Sequence, residues 1–255
     1  MSVRIDYDLV AEAYDGQPYR TKTVDPDLLA FARAHPGTRL TVADLACGTG
    51  NQLVADLPHL PGARFVGVDR SRGMLRVARR KSARIAWVRG EMSALPLASG
   101  TIDFATCQYA FHHVAGKDRA LAEVHRVLAP GGRFVLSNIR PEGMEEALFY
   151  RFFPGARERD RADFPPVEAF AAGLEAVGFV QVGVDETPVR WATTLGDLLV
   201  RCRRRTDCSQ LAAIGDADYS SGLAAIERAI AGSPEGGATA LLDVVALVRI
   251  AATRE

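Results

Sequence analysis

Val42-Ala-Asp-Leu-Ala-Cys-Gly-Thr-Gly50 is the stretch from which the fold is read. The run from Leu40 to Ala46 is apolar, too short for most helices and followed at once by glycines, so it reads as a buried strand entering a tight turn. Gly48 and Gly50 permit that turn and let the backbone approach a ligand with no Cβ in the way; the helix that follows presents its N-terminus there. A glycine pair alone also fits an ordinary strand-to-helix turn. The next strand sharpens the reading, because Val66-Gly-Val-Asp69 places a carboxylate 19 residues beyond Gly50. At the tip of the second strand of a nucleotide-binding βαβ unit, an acid accepts hydrogen bonds from the ribose hydroxyls. The competing reading is a helix N-cap, since Asp69-Arg-Ser71 also precedes a helix.

The glycine spacing narrows the nucleotide. Gly-x-Gly-x-x-Gly, the dinucleotide pattern, would need a third glycine where this chain has Leu53, and the Gly-x-x-x-x-Gly-Lys-Ser/Thr phosphate loop is absent. A smaller, non-phosphorylated nucleoside therefore ranks above NAD or ATP. Outward from this point strands and helices alternate. Strands are expected at 64–68, 85–89, 103–108 and 133–138, and helices at 74–81 and 117–128. A helix follows at 167–177, then a strand at 179–185 and a last one at 242–250. Such alternation argues for right-handed crossovers and a parallel sheet.

The chain has 255 residues, 31 basic and 31 acidic, with 24 % charged and 48 % hydrophobic residues. That composition excludes a disordered chain, and the balanced charge gives no global attraction to nucleic acid or anionic membranes. Residues 1–36 read as a helical lead-in, with Tyr7, Val10, Ala11 and Tyr14 on one helix face and a second helix from Asp27 to His35. The helical stretch 194–231 is too long for a hairpin connection and is expected as a cap inserted into a single domain spanning 1–255. Cys47, Cys107, Cys202 and Cys208 show no metal-ligand or disulfide spacing, so no metal site is expected. No apolar run is long enough to span a membrane and the first ten residues lack a secretory pattern, which points to a soluble cytoplasmic protein.

Val42 to Gly50, Val66 to Ser71, Gly90-Glu-Met-Ser-Ala-Leu-Pro96, Ile102-Asp-Phe104 with Phe111-His-His-Val114, and Glu123 to Phe134 follow one another in an order that resembles the class I S-adenosylmethionine-dependent methyltransferases. Within them the chain is most similar to the ubiquinone/menaquinone-biosynthesis branch and related small-molecule methyltransferases. The likeness is close over 40–138 and loose over 1–39 and 165–186. It implies a Rossmann-like α/β fold, a seven-stranded mostly parallel sheet with helices on both faces and a helical cap. The lid would be 1–36, the cofactor core 40–138, and the acceptor insertions 140–165 and 194–231. The resemblance implies S-adenosylmethionine as cofactor, S-adenosylhomocysteine as product and a small organic acceptor. Asp44, Ala46, Gly48 and Gly50 would line the methionine end, with Asp44 reaching the amino group. Asp69, flanked by Arg70, would hold the ribose. Met74, Glu91 and Met92 would flank the adenine, Met92 departing from the small residue common there. Gln108 would contact the cofactor, and Tyr14 and Arg20 would belong to a lid over the methionine carboxylate.

On the acceptor side, His112 and His113 follow the fourth strand at the carboxyl edge of the sheet, where imidazole could take a proton near neutrality; His113 is the candidate base, and a purely structural pair is the alternative. Arg140 admits an acceptor-holding or a surface role. Phe149-Tyr-Arg-Phe-Phe153 admits an acceptor pocket or a small core of the cap. The arginine-rich runs 70–89 and 201–205 raise nucleic acid as a less favoured acceptor. A protein methyltransferase and a non-methylating enzyme or regulator that binds the cofactor are the remaining alternatives, and a monomer or homodimer is expected.

Overall fold

The computed structural model describes residues 5–16 and 20–255. Residues 1–4 and 17–19 of the expected lid lie outside the described residues. The N-terminal apolar face breaks into a short helix α1 (Tyr7–Val10) and a 3-10 turn (Tyr14–Gly16), where the spacing predicts one continuous helix. The face survives the break: Tyr7, Val10, Ala11 and Tyr14 pack with Met74 and Val77. Helix α2 (Pro26–Ala34) starts with Asp25 as N-cap and proline in its first turn.

Next come β1 (Thr41–Leu45), α3 (Asn51–Asp56), β2 (Arg64–Asp69), α4 (Arg72–Lys81), β3 (Ile85–Arg89), β4 (Ile102–Gln108), α5 (Lys117–Val127) and β5 (Leu128–Ile139). The pairs β1–β2, β2–β3, β1–β4 and β4–β5 are parallel. With β6 (Phe179–Thr193) and β7 (Leu241–Arg254) they form a seven-stranded sheet in the order β3-β2-β1-β4-β5-β7-β6. Successive strand residues go to opposite faces. Ala43, Ala105 and Phe134 pack with α5 and with α8 (Val167–Ala176), whereas Val42, Phe104 and Val135 pack with α2 and α3.

Three strands outrun their expected bounds by several residues. β5 begins five residues early because Gly131, at φ 77°, and a register shift opposite Ile102 to Phe104 absorb Pro130-Gly-Gly as an irregularity within the strand. β6 continues eight residues past Asp185; it ends the strand order, so Pro188 removes no ladder bond that a central strand would need. β7 runs from Leu241 to Arg254.

Contacts divide the chain into two compact units: one of 7–138, 166–185 and 248–255, the other of 1–6, 139–165 and 186–247. The second unit contains both segments expected as insertions, with α6 (Leu148–Phe152), α7 (Pro154–Asp163), α9 (Leu195–Arg203), α10 (Ser209–Ala213) and α11 (Asp216–Ala231). It has its own apolar core, in which Phe149, Phe152 and Phe153 pack with Leu198, Leu211 and Ile226. The aromatic run is thus core of this unit. Arg140 pairs with Glu186 at 2.5 Å.

Gly50 sits at φ 77°, and a Cβ there would lie 2.2 Å from the Trp87 ring; Gly48, at φ 54°, has nothing within 4 Å of that position. Gly50→Ala should therefore cost strain plus overpacking, about 2–5 kcal/mol, and Gly48→Ala strain alone, about 1–2 kcal/mol. Urea unfolding of both variants checks this, and equal losses would contradict it.

Candidate active site

At β1 the strand order reverses, with β2 on one side and β4 on the other. Open α/β sheets bind ligands at the carboxyl ends of strands at such a point. A cavity opens there, lined from β1 and its turn by Asp44, Ala46, Cys47, Gly48 and Thr49, and from the β2 tip by Asp69 and Arg70. Met74, Glu91, Met92, Gln108 and His113 line it too, as do Tyr14 and Arg20 from the N-terminal segment. Of the cofactor-binding residues singled out in the sequence, Gly50 alone is outside this lining; it shapes the turn against Trp87.

The turn is built from its own amides. Ala46 N and Cys47 N both donate to the Val68 carbonyl, at 2.8 and 3.0 Å, Gly48 N donates to Asp69 Oδ2 at 2.8 Å, and Gly50 N donates to the Cys47 carbonyl at 2.9 Å. These four amides are consumed in fixing the loop. A buried loop must satisfy its own N–H groups. Asp69 Oδ1 accepts from Ser71 N at 2.8 Å, and Ser71 caps α4 through Met74 N at 3.0 Å. The cap is Ser71, and Asp69 faces the cavity with lone pairs to spare. Burial pushes the Asp69 carboxyl up, while the amides of Ser71 and Gly48 pull the other way.

Asp44 is 3 % exposed, and its carboxylate makes no hydrogen bond within the described residues. Burial, then the neighbouring Asp56, pushes its pKa to about 8; the Lys22 charge opposes this and Asp69 and Asp25 add to it. Lys22 donates to Gln108 Oε1 at 3.0 Å, and Arg20 lies 3.9 Å over the Tyr14 ring. The unbonded Asp44 carboxylate thus shares one cavity with Arg20, Lys22 and Arg70 and with two further acids, Asp69 and Glu91.

Three carboxylates fasten the N-terminal segment beside the cavity. Asp8 accepts from Ser71 Oγ and Gly73 N, both at 2.6 Å. Glu12 pairs with Arg76 and Arg80, and Asp15 accepts from Thr49 Oγ1 and Asn51 Nδ2 and pairs with Lys81 at 2.5 Å. Tyr7 OH lies 2.9 Å from His113 Nε2. His112 is buried away from the lining with its pKa pushed well below the usual range by burial and by His113 and Lys117. Tyr7, Lys22, Thr49, Asn51, Gln52 and Tyr109 also line the cavity; they were not singled out as site residues because no local spacing marks them.

The arginine runs find partners within the protein. Arg79 reaches the Trp87 carbonyl and Arg89 the Arg70 carbonyl. In the other run, Arg201 pairs with Asp243, Arg203 with Glu227 and Arg205 with Asp216.

A methyltransferase-domain family matches residues 43–136. The demethylmenaquinone methyltransferase of Thermus thermophilus is 32 % identical over 165 residues, 54 % of this chain and 73 % of that protein. The ubiquinone/menaquinone biosynthesis C-methyltransferase UbiE of Paracoccus denitrificans is 31 % identical over 202 residues, 69 % of this chain and 79 % of that one. The chain belongs to the UbiE-like methyltransferases. It is an S-adenosylmethionine-dependent enzyme of the class I fold. Solved structures share that fold at low identity. The YcgJ protein of Bacillus subtilis has a TM-score of 0.59 at 19 % identity, covering 89 % of this chain and 97 % of that one. Phosphoethanolamine N-methyltransferase 2 of Haemonchus contortus, solved with phosphomonomethylethanolamine and S-adenosylhomocysteine, has a TM-score of 0.57 at 15 % identity, covering 97 % and 57 %.

The cavity of this UbiE-like chain suits that cofactor chemically. An ammonium would meet the unbonded Asp44 carboxylate, a carboxylate would meet Arg20 and Lys22, and a ribose diol would meet Asp69. Among the described residues no helix is long and apolar enough to cross a membrane.

With Asp44 at about 8, the folded cofactor-free protein holds a proton near neutrality that the unfolded chain has released. Its stability contribution is full at acidic pH and falls as pH rises toward 8. A bound ammonium favours the ionised form, so binding expels the proton. Calorimetry at pH 7 in buffers of different ionisation enthalpy should show net proton release on S-adenosylhomocysteine binding. No proton release would contradict the assignment.

Proposed function

We propose that this cavity holds S-adenosylmethionine and that the enzyme methylates a small organic acceptor beside His113. The observation that carries the reading is the buried, unbonded Asp44 carboxylate facing the same cavity as Arg20 and Lys22. In this reading Asp44 receives the amino group, Arg20 and Lys22 the carboxylate, and Asp69 with Arg70 the ribose. Ala46 and Gly48 form the floor at the methionine end, while Met74, Glu91 and Met92 enclose the base. Gln108 is positioned by Lys22, and Tyr14 by Arg20.

When bound, the cofactor supplies a methyl group on a positively charged sulfur, open to in-line displacement. The chain's part is to hold the acceptor at near-attack distance and receive its proton. Burial keeps the Tyr7 phenol protonated well beyond neutrality. A protonated phenol can donate to Nε2 or accept from Nε2–H; with His113 as the base, the Tyr7 O–H donates to Nε2 and the ring proton sits on Nδ1. Tyr7 fixes the tautomer and must give way before Nε2 accepts a proton. The names of the relatives, which act on quinone precursors, support a small ring-bearing acceptor. The intramolecular pairing of the arginine runs supports no nucleic-acid acceptor.

Asp69→Ala should weaken S-adenosylmethionine binding by about 1–3 kcal/mol, the scale of hydrogen bonds lost at a charged group. Unchanged affinity in a folded variant would remove the ribose assignment. His113→Asn should leave S-adenosylhomocysteine affinity unaltered and lower kcat by roughly a hundredfold or more. An equally active His113→Asn enzyme would return the imidazole to a structural role.

A further inference from the structure

Tyr109 has no role in the cofactor assignments above. It follows Gln108 at the end of β4 with a φ of 54°. An L-residue with an aromatic ring adopts that left-handed conformation only against a steric penalty, and glycine would take it freely. The Tyr109 amide donates to the Ser137 carbonyl at 2.8 Å, which fixes the backbone in place. Burial does not offset the strain. The ring is 38 % exposed and belongs to none of the hydrophobic clusters among the described residues.

Strain of this kind concentrates where a side chain is held in position for a ligand. Tyr109 lines the cavity with Ala110, His113 and Val114 of the same turn. The Lys22 ammonium lies 4.9 Å from the ring centroid, a cation–π contact that takes one face of the ring and holds its plane. The Tyr109 side chain is also partly exposed, and the partner best suited to a fixed, accessible aromatic ring is a flat ring in offset stacking.

The geometry points to Tyr109 as the residue that positions and selects the acceptor, its ring being the platform against which a planar acceptor lies beside His113. This rests on the methyl-transfer reading given above. It adds a residue on the acceptor side, joined to the cofactor assignments only through Lys22, whose ammonium faces its ring.

The test uses the full chain with Tyr109→Phe, Tyr109→Leu and Tyr109→Gly, and 1,4-dihydroxynaphthalene kept reduced as the acceptor probe. S-adenosylhomocysteine affinity should stay within about twofold in all three variants. Tyr109→Phe should keep the wild-type KM for the probe. Tyr109→Leu and Tyr109→Gly should raise that KM by up to roughly tenfold, the upper range of an aromatic stacking pair, with kcat changed less. Tyr109→Gly should also melt at a higher temperature than the wild type, because it relieves the φ strain while removing the platform. Wild-type KM in Tyr109→Leu and Tyr109→Gly would overturn the proposal. So would a parallel fall in S-adenosylhomocysteine affinity, or a wild-type protein that binds this nucleoside yet takes no dihydroxynaphthalene. A wild-type protein that fails to bind S-adenosylhomocysteine would instead contradict the cofactor reading beneath it.

Discussion

Three consecutive amides, those of Ala46, Cys47 and Gly48, donate into the tip of the neighbouring strand: two to the Val68 carbonyl and one to Asp69 Oδ2. They bind the end of β1 to the end of β2, continuing the register in which Leu45 pairs with Val68. The conformation this demands is left-handed at Ala46, Gly48 and Gly50. Glycine supplies it freely at two positions, and Ala46 carries the strain at the third. With the turn so fixed, Asp44 and Asp69 face one cavity and Gly50 closes against Trp87.

That arrangement concentrates buried acid. Asp44, Asp56 and Asp69 are all pushed up by burial, Asp56 to about 6. The protein answers with local partners. Asp56 accepts from Asp25 N at 2.8 Å and Gln52 Nε2 at 2.9 Å, and Arg249 on β7 pairs with Asp25 and Asp27. Asp44 lacks such a partner within the described residues, and an unpaired buried carboxylate is costly to ionise. Such a carboxylate suits a ligand that brings its own cation, as in the cofactor reading proposed above. The N-terminal segment supplies opposite charge through Arg20 and Lys22, and is itself held by Asp8, Glu12 and Asp15.

The sheet was legible because its signals are local. The apolar run before Gly48 and the acid 19 residues past Gly50 lie within one βαβ unit. The period-two split of Val42 from Ala43 and of Phe104 from Ala105 follows from strand geometry alone. The strand ends were less legible, since β5 and β6 run through Gly131 and Pro188, which are tolerated at a register shift and on the end strand. Tyr7, Lys22 and Tyr109 reach the cavity through contacts distant in sequence, such as Tyr7 with His113 and Lys22 with Gln108. No spacing encodes those contacts. The use of the turn's own amides could not be read either, because it depends on where Val68 and Asp69 come to lie. Phe149 to Phe153 left two readings open in sequence, and the packing with α9, α10 and α11 decided between them.

The account turns on Asp44 as the anchor of the cofactor's amino-acid head. The most direct test is a pair of calorimetric titrations, with S-adenosylhomocysteine and with 5′-methylthioadenosine, which keeps the nucleoside thioether but lacks that head. Each is run on the wild type and on Asp44→Asn. The account predicts that Asp44→Asn weakens S-adenosylhomocysteine by roughly tenfold or more, at least about 1.4 kcal/mol, and leaves 5′-methylthioadenosine unchanged. Equal losses for the two ligands, or no loss for either, would contradict it.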